Sequence, residues 1–371
     1  MKNTDSKHGR RAKPGLIVVK LGTTSITGPN GSLDGLRVRK VTDQIARLKA
    51  KGSSVVIVTS GAIAAGVQAL SLKKRPSDMP TLQAAAAVGQ SRLMDLYSEL
   101  LSTQGITAGQ VLLTQDDIVQ RRHYLNARHT LDRLLELGCV PVVNENDTVA
   151  VEEIRYGDND RLAALVANIV RADLLALLSD VDGVFSSDPR TKRAPADGPV
   201  TLLETVHEVT PAMKRASKGS SGLGSGGMAY KLEAARMAAF SGVAVVIASA
   251  ARPGVLEDIY EGKAVGTYFP PNRSPVQAKK LWIAWAPSAR GRILVDEGAA
   301  HALTKGGKSL LAAGIRKVEG NFRAGDAVEV IGSDRSLVAK GLVGFDSDIL
   351  ASIAGTKGAR EVIHRDQLVL M

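Results

Sequence analysis

Leu16-Ile17-Val18-Val19-Lys20-Leu21-Gly22-Thr23 decides the fold. Its apolar, β-branched run predicts a strand, and Gly22-Thr23-Thr24 predicts the tight turn that ends it. A second run, Val55-Val56-Ile57-Val58, closes with Thr59-Ser60-Gly61 before an Ala-rich helix. A run apolar at every position suits a strand buried on both faces, as parallel sheets require. Between the two runs, residues 38–51 place Val41, Ile45 and Leu48 on one helical face. The alternation continues, with helices over 82–101, 125–137, 162–170 and 230–240. Strands are expected over 109–113, 140–143, 174–178 and 243–248. Strands alternating with helices predict an α/β protein, a doubly wound three-layer αβα sandwich around a mainly parallel sheet. In such a sheet a ligand binds beyond the carboxyl ends of the strands, so the polar residues just after each strand become the candidates.

The pattern changes at 269–280, where Pro270, Pro271, Asn272, Arg273 and Pro275 form an expected linker. Beyond it, short apolar runs over 282–285, 293–295, 327–331 and 337–343 predict a small β-rich domain. The expected organisation is a basic tail over 1–13, an α/β domain over 14–268, a linker over 269–280 and the β-rich domain over 281–371.

Of 371 residues, 44% are hydrophobic and 23% charged, which excludes a disordered or fibrous chain. A single cysteine, Cys139, excludes an intramolecular disulfide and a Cys-rich zinc site, and fits a reducing compartment. The six histidines (His8, His123, His129, His207, His301, His364) form no metal-ligand spacing, and His123 and His129 are expected on a helix surface. The net charge of +11 invites a nucleic-acid partner. Its distribution argues otherwise. Residues 1–13 carry five basic and one acidic residue, whereas 281–371 carry twelve and ten. Aromatic residues, at 4%, leave little surface for stacking bases. Lys and Arg also cluster at 188–193 and 214–218, either as solvated loops or as an approach path for a polyanion such as ATP. No apolar run has the length of a membrane span, and the N-terminus lacks the apolar core of a secretory signal, so a cytoplasmic protein with no membrane contact is expected.

Five strand ends carry polar residues that together suit phosphate and carboxylate chemistry. Lys20 sits inside an apolar strand, where its charge needs compensation unless it snorkels from a sheet edge. Ser60 precedes a helix whose free N–H groups would attract an anion, and it could equally be only a cap. Asn144-Glu145-Asn146-Asp147 and Gly157-Asp158-Asn159-Asp160 are dense clusters of amides and carboxylates. Such groups orient lysines, hold an ammonium or sit in the outer shell of Mg²⁺, although turn chemistry also favours them. Ser179-Asp180 follows the strand at 174–178. The stretch 220–231 holds Gly222, Gly224 and Gly227 and leads to Lys231 at the start of a helix. No strand precedes it, so it is not a dinucleotide fingerprint, and it lacks the Walker A spacing. A flexible Gly-rich loop ending in Lys suits closure over a triphosphate.

These motifs resemble the amino-acid kinase family, and within it the glutamate 5-kinases. The resemblance rests on Val19-Lys20-Leu21-Gly22-Thr23, Val58-Thr59-Ser60-Gly61-Ala62-Ile63, Val88-Gly89-Gln90-Ser91, Leu125-Asn126-Ala127-Arg128, Val143-Asn144-Glu145-Asn146-Asp147, Gly157-Asp158-Asn159-Asp160, Ser187-Asp188-Pro189-Arg190 and Gly222-Leu223-Gly224-Ser225-Gly226-Gly227-Met228. The last domain resembles a PUA domain, through Val295-Asp296-Glu297-Gly298-Ala299 and the run at 338–344. The resemblance implies ATP-dependent phosphorylation of the γ-carboxylate of L-glutamate, the first step to proline, with ATP and Mg²⁺ as cofactors. It implies catalytic roles for Lys20, Lys231 and Asp160, and glutamate binding by Ser60, Asp147 and Asn159. It implies nucleotide binding by Lys20, Ser179, Asp180, Ser225, Gly226, Gly227, Met228, Ala229, Tyr230 and Lys231, with no direct protein ligand to the metal. It further implies a homo-oligomer, dimeric or tetrameric, and hand-off of product to glutamate-5-semialdehyde dehydrogenase. Two departures stand out: Ser179-Asp180 replaces the family's usual Thr-Asp, and Ala229-Tyr230 replaces small polar residues. The alternatives are another kinase of the superfamily, acting on aspartate, acetylglutamate or UMP, and an RNA-binding protein acting through the PUA-like domain.

Overall fold

A computed structural model describes residues 13–114, 117–118, 120–149, 158–187, 200–210, 213, 217, 226–272, 283, 289–356, 358 and 360–371. They divide into two compact units, one within 1–114 and 122–275, the other within 115–121 and 276–371.

Seven strands build the sheet of the first unit. They are β1 (Leu16–Leu21), β2 (Ser54–Thr59), β3 (Ala108–Leu113), β4 (Val140–Glu145), β5 (Leu174–Ser179), β6 (Ala244–Ser249) and β7 (Thr267–Phe269). Their order is β3-β4-β2-β1-β5-β6-β7. All neighbours pair in parallel except β6 and the short edge strand β7, so the expected mainly parallel sheet is present. The chain first extends from β1 toward β2, then returns to the other side of β1 with β5. The crevice at that reversal is where open α/β sheets bind ligands.

The helices of this unit are α1 (Thr23–Ile26), α2 (Gly35–Ala50), α3 (Ala62–Ala69), α4 (Met79–Ser102), α5 (Arg121–Glu136), α6 (Asp158–Ile169), α7 (Gly226–Phe240) and α8 (Val255–Tyr260). Asp34 caps α2 by accepting from the N–H groups of Leu36 and Arg37, and Asp78 caps α4 by accepting from Thr81 N–H. On one face of the sheet, Ile17, Val19, Leu21, Val55 and Ile57 pack with Val41, Ile45 and Leu48 of α2 and with Leu93 and Tyr97 of α4. Side chains alternate along a strand, so Val18 and Lys20 of β1 face the other layer. There α6 buries Leu162 through Ala167, and α7 buries Leu232, Ala234, Ala235, Met237 and Ala238. A helix apolar on so many sides belongs to an interior.

Helices α3 and α4 meet backbone to backbone. A Cβ on Gly89 would stand 1.8 Å from the Ala62 carbonyl oxygen and 2.4 Å from Gly66 N, and one on Gly66 would stand 1.8 Å from Ala85 O. The contact seats the middle of α4, next to Gln90, against the first turn of α3, just after Ser60.

The second unit is β-rich, as the sequence predicts. Its five-stranded sheet has the order β10-β8-β11-β12-β14, from Ile315–Gly320, Gly291–Val295, Ala327–Ile331, Leu337–Leu342 and Leu368–Leu370. A two-stranded pair joins β13 (Glu361–Ile363) to β9 (Leu310–Leu311). Ile293, Val295, Phe322, Val328, Val330 and Ile363 fill its core. Most of the expected apolar run at 282–285 lies outside the described residues.

Gly89→Ala forces two helix backbones apart. The expected cost is about 1–3 kcal/mol of stability, read as a lower urea midpoint for the first unit. An unchanged midpoint contradicts this packing.

Candidate active site

Four adjacent parallel strands bring the candidate residues to one edge of the sheet. Reading across β4, β2, β1 and β5, the carboxyl ends carry Asn144 with Glu145, then Ser60, then Lys20, then Ser179 with Asp180. Residues scattered over 160 positions of sequence thus line up along one crevice.

Lys20 is the centre. Its strand pairs on both sides, opposite Val58 of β2 and Leu177 of β5, so the alternative of a sheet-edge lysine snorkelling to water is wrong. The side chain is 3% exposed. Asp160, in the first turn of α6, is 1% exposed, and its carboxylate accepts two ammoniums: Oδ1 lies 2.5 Å from Lys20 Nζ and Oδ2 lies 3.2 Å from Lys231 Nζ on α7. Burial pushes the Lys20 ammonium below the usual lysine range, Asp160 restores part of its proton affinity, and the second ammonium opposes that. For Asp160 burial pushes upward, but the charges of Lys20 and Lys231 outweigh it and hold the carboxyl below 3.8. The three groups together carry one net positive charge at a strand end, an arrangement suited to an anion.

On the β2 side, Asn159 Nδ2 donates to Ser60 Oγ at 3.0 Å. Ser60 and Asp160 are thereby tied to the same turn of α6. Gly61, next to Ser60, has φ of 103°, and a Cβ there would stand 2.7 Å from Ile26 Cδ1, so glycine is required. Behind Ser60, Thr59 Oγ1 lies 2.9 Å from the buried Tyr97 hydroxyl of α4 and 3.0 Å from the Ser60 carbonyl. Asp147 sits just past β4 and lines a 270 Å³ cavity together with Ala62, Gln90, Ser91, Glu145 and Thr148.

On the β5 side, Ser179 is buried and its hydroxyl donates to Asp180 Oδ1 at 3.0 Å. Gly226, Gly227, Met228, Ala229 and Tyr230 form the first turns of α7, ahead of Lys231, and Tyr230 is exposed. Ser225 and the Gly-rich stretch at 220–225 lie outside the described residues, as do the basic cluster at 188–193 and most of that at 214–218. His123 and His129 lie exposed on α5, and Cys139 is half-buried before β4. Among the described residues no group of three or more His, Cys, Asp or Glu is placed to hold a metal ion. Asp160 is not available as a ligand, because each of its oxygens faces an ammonium.

One residue at the site, Gln90, belongs to a motif of the family resemblance but drew no role from it. Gln90 falls on the buried stripe of α4, between Ala86 and Leu93, where an apolar side chain is the norm.

A crevice at the reversal of a parallel sheet, with two lysines on one buried carboxylate, is the setting of a phosphoryl-transfer enzyme. The chain belongs to the amino acid kinase family, whose model matches residues 15–249, and residues 291–365 match the PUA domain. Its curated relatives include the glutamate 5-kinase of Myxococcus xanthus, 45% identical over 96% of this chain and 96% of that one. The glutamate 5-kinase of Streptomyces avermitilis is 46% identical, again over 96% of each chain. A solved UMP kinase of Bacillus anthracis is 16% identical, with a TM-score of 0.48, over 70% of this chain and 98% of that one.

Asp160→Asn leaves the buried Lys20 and the partly buried Lys231 without a counter-charge, and breaking a buried ion pair costs about 3–5 kcal/mol. Because the Asp160 carboxyl is held below 3.8 in the folded chain, its contribution is complete above that pH and is lost as pH falls through the depressed value. The stability gap between wild type and variant, measured by denaturant unfolding, is therefore constant from neutral pH down to about 4 and closes below it. A gap that instead widens on acidification contradicts the ion-pair geometry.

Proposed function

We propose that the chain transfers the γ-phosphoryl group of ATP to the γ-carboxylate of L-glutamate, giving L-glutamyl 5-phosphate and ADP, the first step of proline biosynthesis. The observation that carries this reading is the paired Lys20–Asp160–Lys231 centre, placed between a carboxylate- and amide-rich acceptor side and the Ser179–Asp180 strand end.

A carboxylate is already ionised at neutral pH, so attack needs no general base. One carboxylate oxygen of glutamate bonds to the γ-phosphorus, the bond from that phosphorus to the β–γ bridging oxygen breaks, and ADP leaves with the electron pair. The enzyme's task is to align the two reactants and to neutralise charge on the group in transit. Lys20 and Lys231 supply that charge. Asp160 anchors both ammoniums and favours the charged form of the buried Lys20. Ser60, Asn159 and Asp147 hold glutamate on the β2–β4 side. Ser179, Asp180 and residues 225–231 hold the nucleotide on the β5 side, and Mg²⁺ enters with ATP as the MgATP complex. The kinase chemistry falls to residues 14–268, with the PUA-like domain at 281–371. The product is a labile acyl phosphate, which suits capture by a reductive dehydrogenase such as glutamate-5-semialdehyde dehydrogenase.

Purified protein with L-glutamate, MgATP and hydroxylamine should form glutamyl hydroxamate only when ATP and glutamate are both present. Hydroxamate from aspartate or acetylglutamate instead would move the acceptor assignment. Lys20→Ala and Lys231→Ala should each lower kcat by about 10²–10³, the usual loss for one preorganised charge donor. Wild-type turnover in either variant excludes its role. Asp147→Ala should raise KM for glutamate well beyond any change in KM for ATP; equal shifts contradict its place on the acceptor side.

A further inference from the structure

Gln90 has no role in the chemistry described so far, yet it is one of the least satisfied groups near the site. It is 9% exposed, and Asn144, at the end of β4, is 1% exposed. Asn144 Nδ2 donates to Gln90 Oε1 at 2.8 Å. Gln90 Nε2 and Asn144 Oδ1 are then both buried with no hydrogen-bond partner among the described residues. Native proteins seldom leave a buried N–H unpaired, and an acceptor brought by a bound molecule is one way to satisfy it. Gln90 lines the 270 Å³ cavity, which Glu145 and Asp147 also line. That volume is near the small end of small-molecule sites.

We infer that Gln90 is a specificity-determining residue whose free amide N–H donates to the α-carboxylate of the amino-acid substrate. An α-amino acid carries an ammonium and a carboxylate on one carbon. Glu145 and Asp147 supply acceptors for the ammonium, and the same two acids repel a carboxylate that has no donor of its own. Gln90 supplies that donor. The contact between Gly66 and Gly89 fixes its position, because it seats this turn of α4 against α3 with no side chain between. The inference rests on the reading of the protein as a glutamate kinase.

The test compares the full-length wild type with Gln90→Glu, which keeps an acceptor for Asn144 but removes the donor, and with Gln90→Met, which removes both. KM for L-glutamate is measured alongside inhibition constants for two analogues. Glutarate keeps the second carboxylate and lacks the amine. 4-Aminobutyrate keeps the amine and lacks the α-carboxylate. A hydrogen bond to a charged group predicts a rise of about 10- to 100-fold in KM for L-glutamate and a parallel rise for glutarate. The inhibition constant of 4-aminobutyrate, KM for ATP and kcat should stay within a few-fold of wild type. A parallel rise for all three ligands makes Gln90 a mere support for Asn144 and overturns the inference, and so does no change for any of them. A wild type that forms no hydroxamate from L-glutamate overturns the underlying reading instead, and that result is visible before any variant is made.

Discussion

Everything at the site depends on one buried carboxylate holding two ammoniums. Lys20 lies inside the central strand, where burial pushes its ammonium below the usual lysine range. Asp160, at 2.5 Å, opposes that push, and its second oxygen reaches Lys231. Taking ions out of water is costly, so such a cluster contributes little to stability overall and survives because it does something else. On the proposed function, it presents concentrated positive charge, already desolvated, to an incoming anion. In a dry crevice that charge acts far more strongly than it would in water.

This constraint explains the architecture around it. The three residues come from β1, α6 and α7, so both helices must lie on the face to which Lys20 points. Both are apolar nearly all round, as that position demands. Strand order then sorts the remaining residues. β2 and β4 lie on one side of β1 and carry Ser60, Asn144 and the acidic turn; β5 lies on the other and carries Ser179 and Asp180. On the proposed function, acceptor and donor of the phosphoryl group take opposite halves of one edge, with the lysines between them. Helix α4 reaches the acceptor half twice from a single face, through Gln90 to Asn144 and through Tyr97 to Thr59.

Much of this was legible in the sequence, for identifiable reasons. The strand at Leu16–Leu21 has the bounds that its apolar run predicts, and the other buried strands extend only a residue or two beyond theirs. Lys20 stood out because a charge inside such a run needs a partner. The family resemblance named Asp160 as the residue that holds the lysines; the residues alone did not, since Asp160 lies among four polar residues that also suit a turn. Helices α6 and α7 start four residues earlier than apolar periodicity indicates, because their first turns are Asp-Asn-Asp and Gly-Gly-Met-Ala, which carry none. The approach of α3 to α4 was not legible either: Gly66 and Gly89 are single glycines inside helical patterns, and only the packing shows what each makes room for. The grouping of residues 115–121 with the second unit has no sequence signal at all.

The most direct test of the central claim follows one oxygen atom. Glutamate labelled with ¹⁸O in its γ-carboxylate is turned over with MgATP in the presence of hydroxylamine. Hydroxylamine attacks the acyl carbon and leaves the bond between phosphorus and the former carboxylate oxygen intact. If the lysine pair steers the carboxylate onto the γ-phosphorus, the released phosphate carries one ¹⁸O from glutamate. Unlabelled phosphate, formed at the same rate as ADP, would mean that water rather than the carboxylate attacks, and would contradict the account.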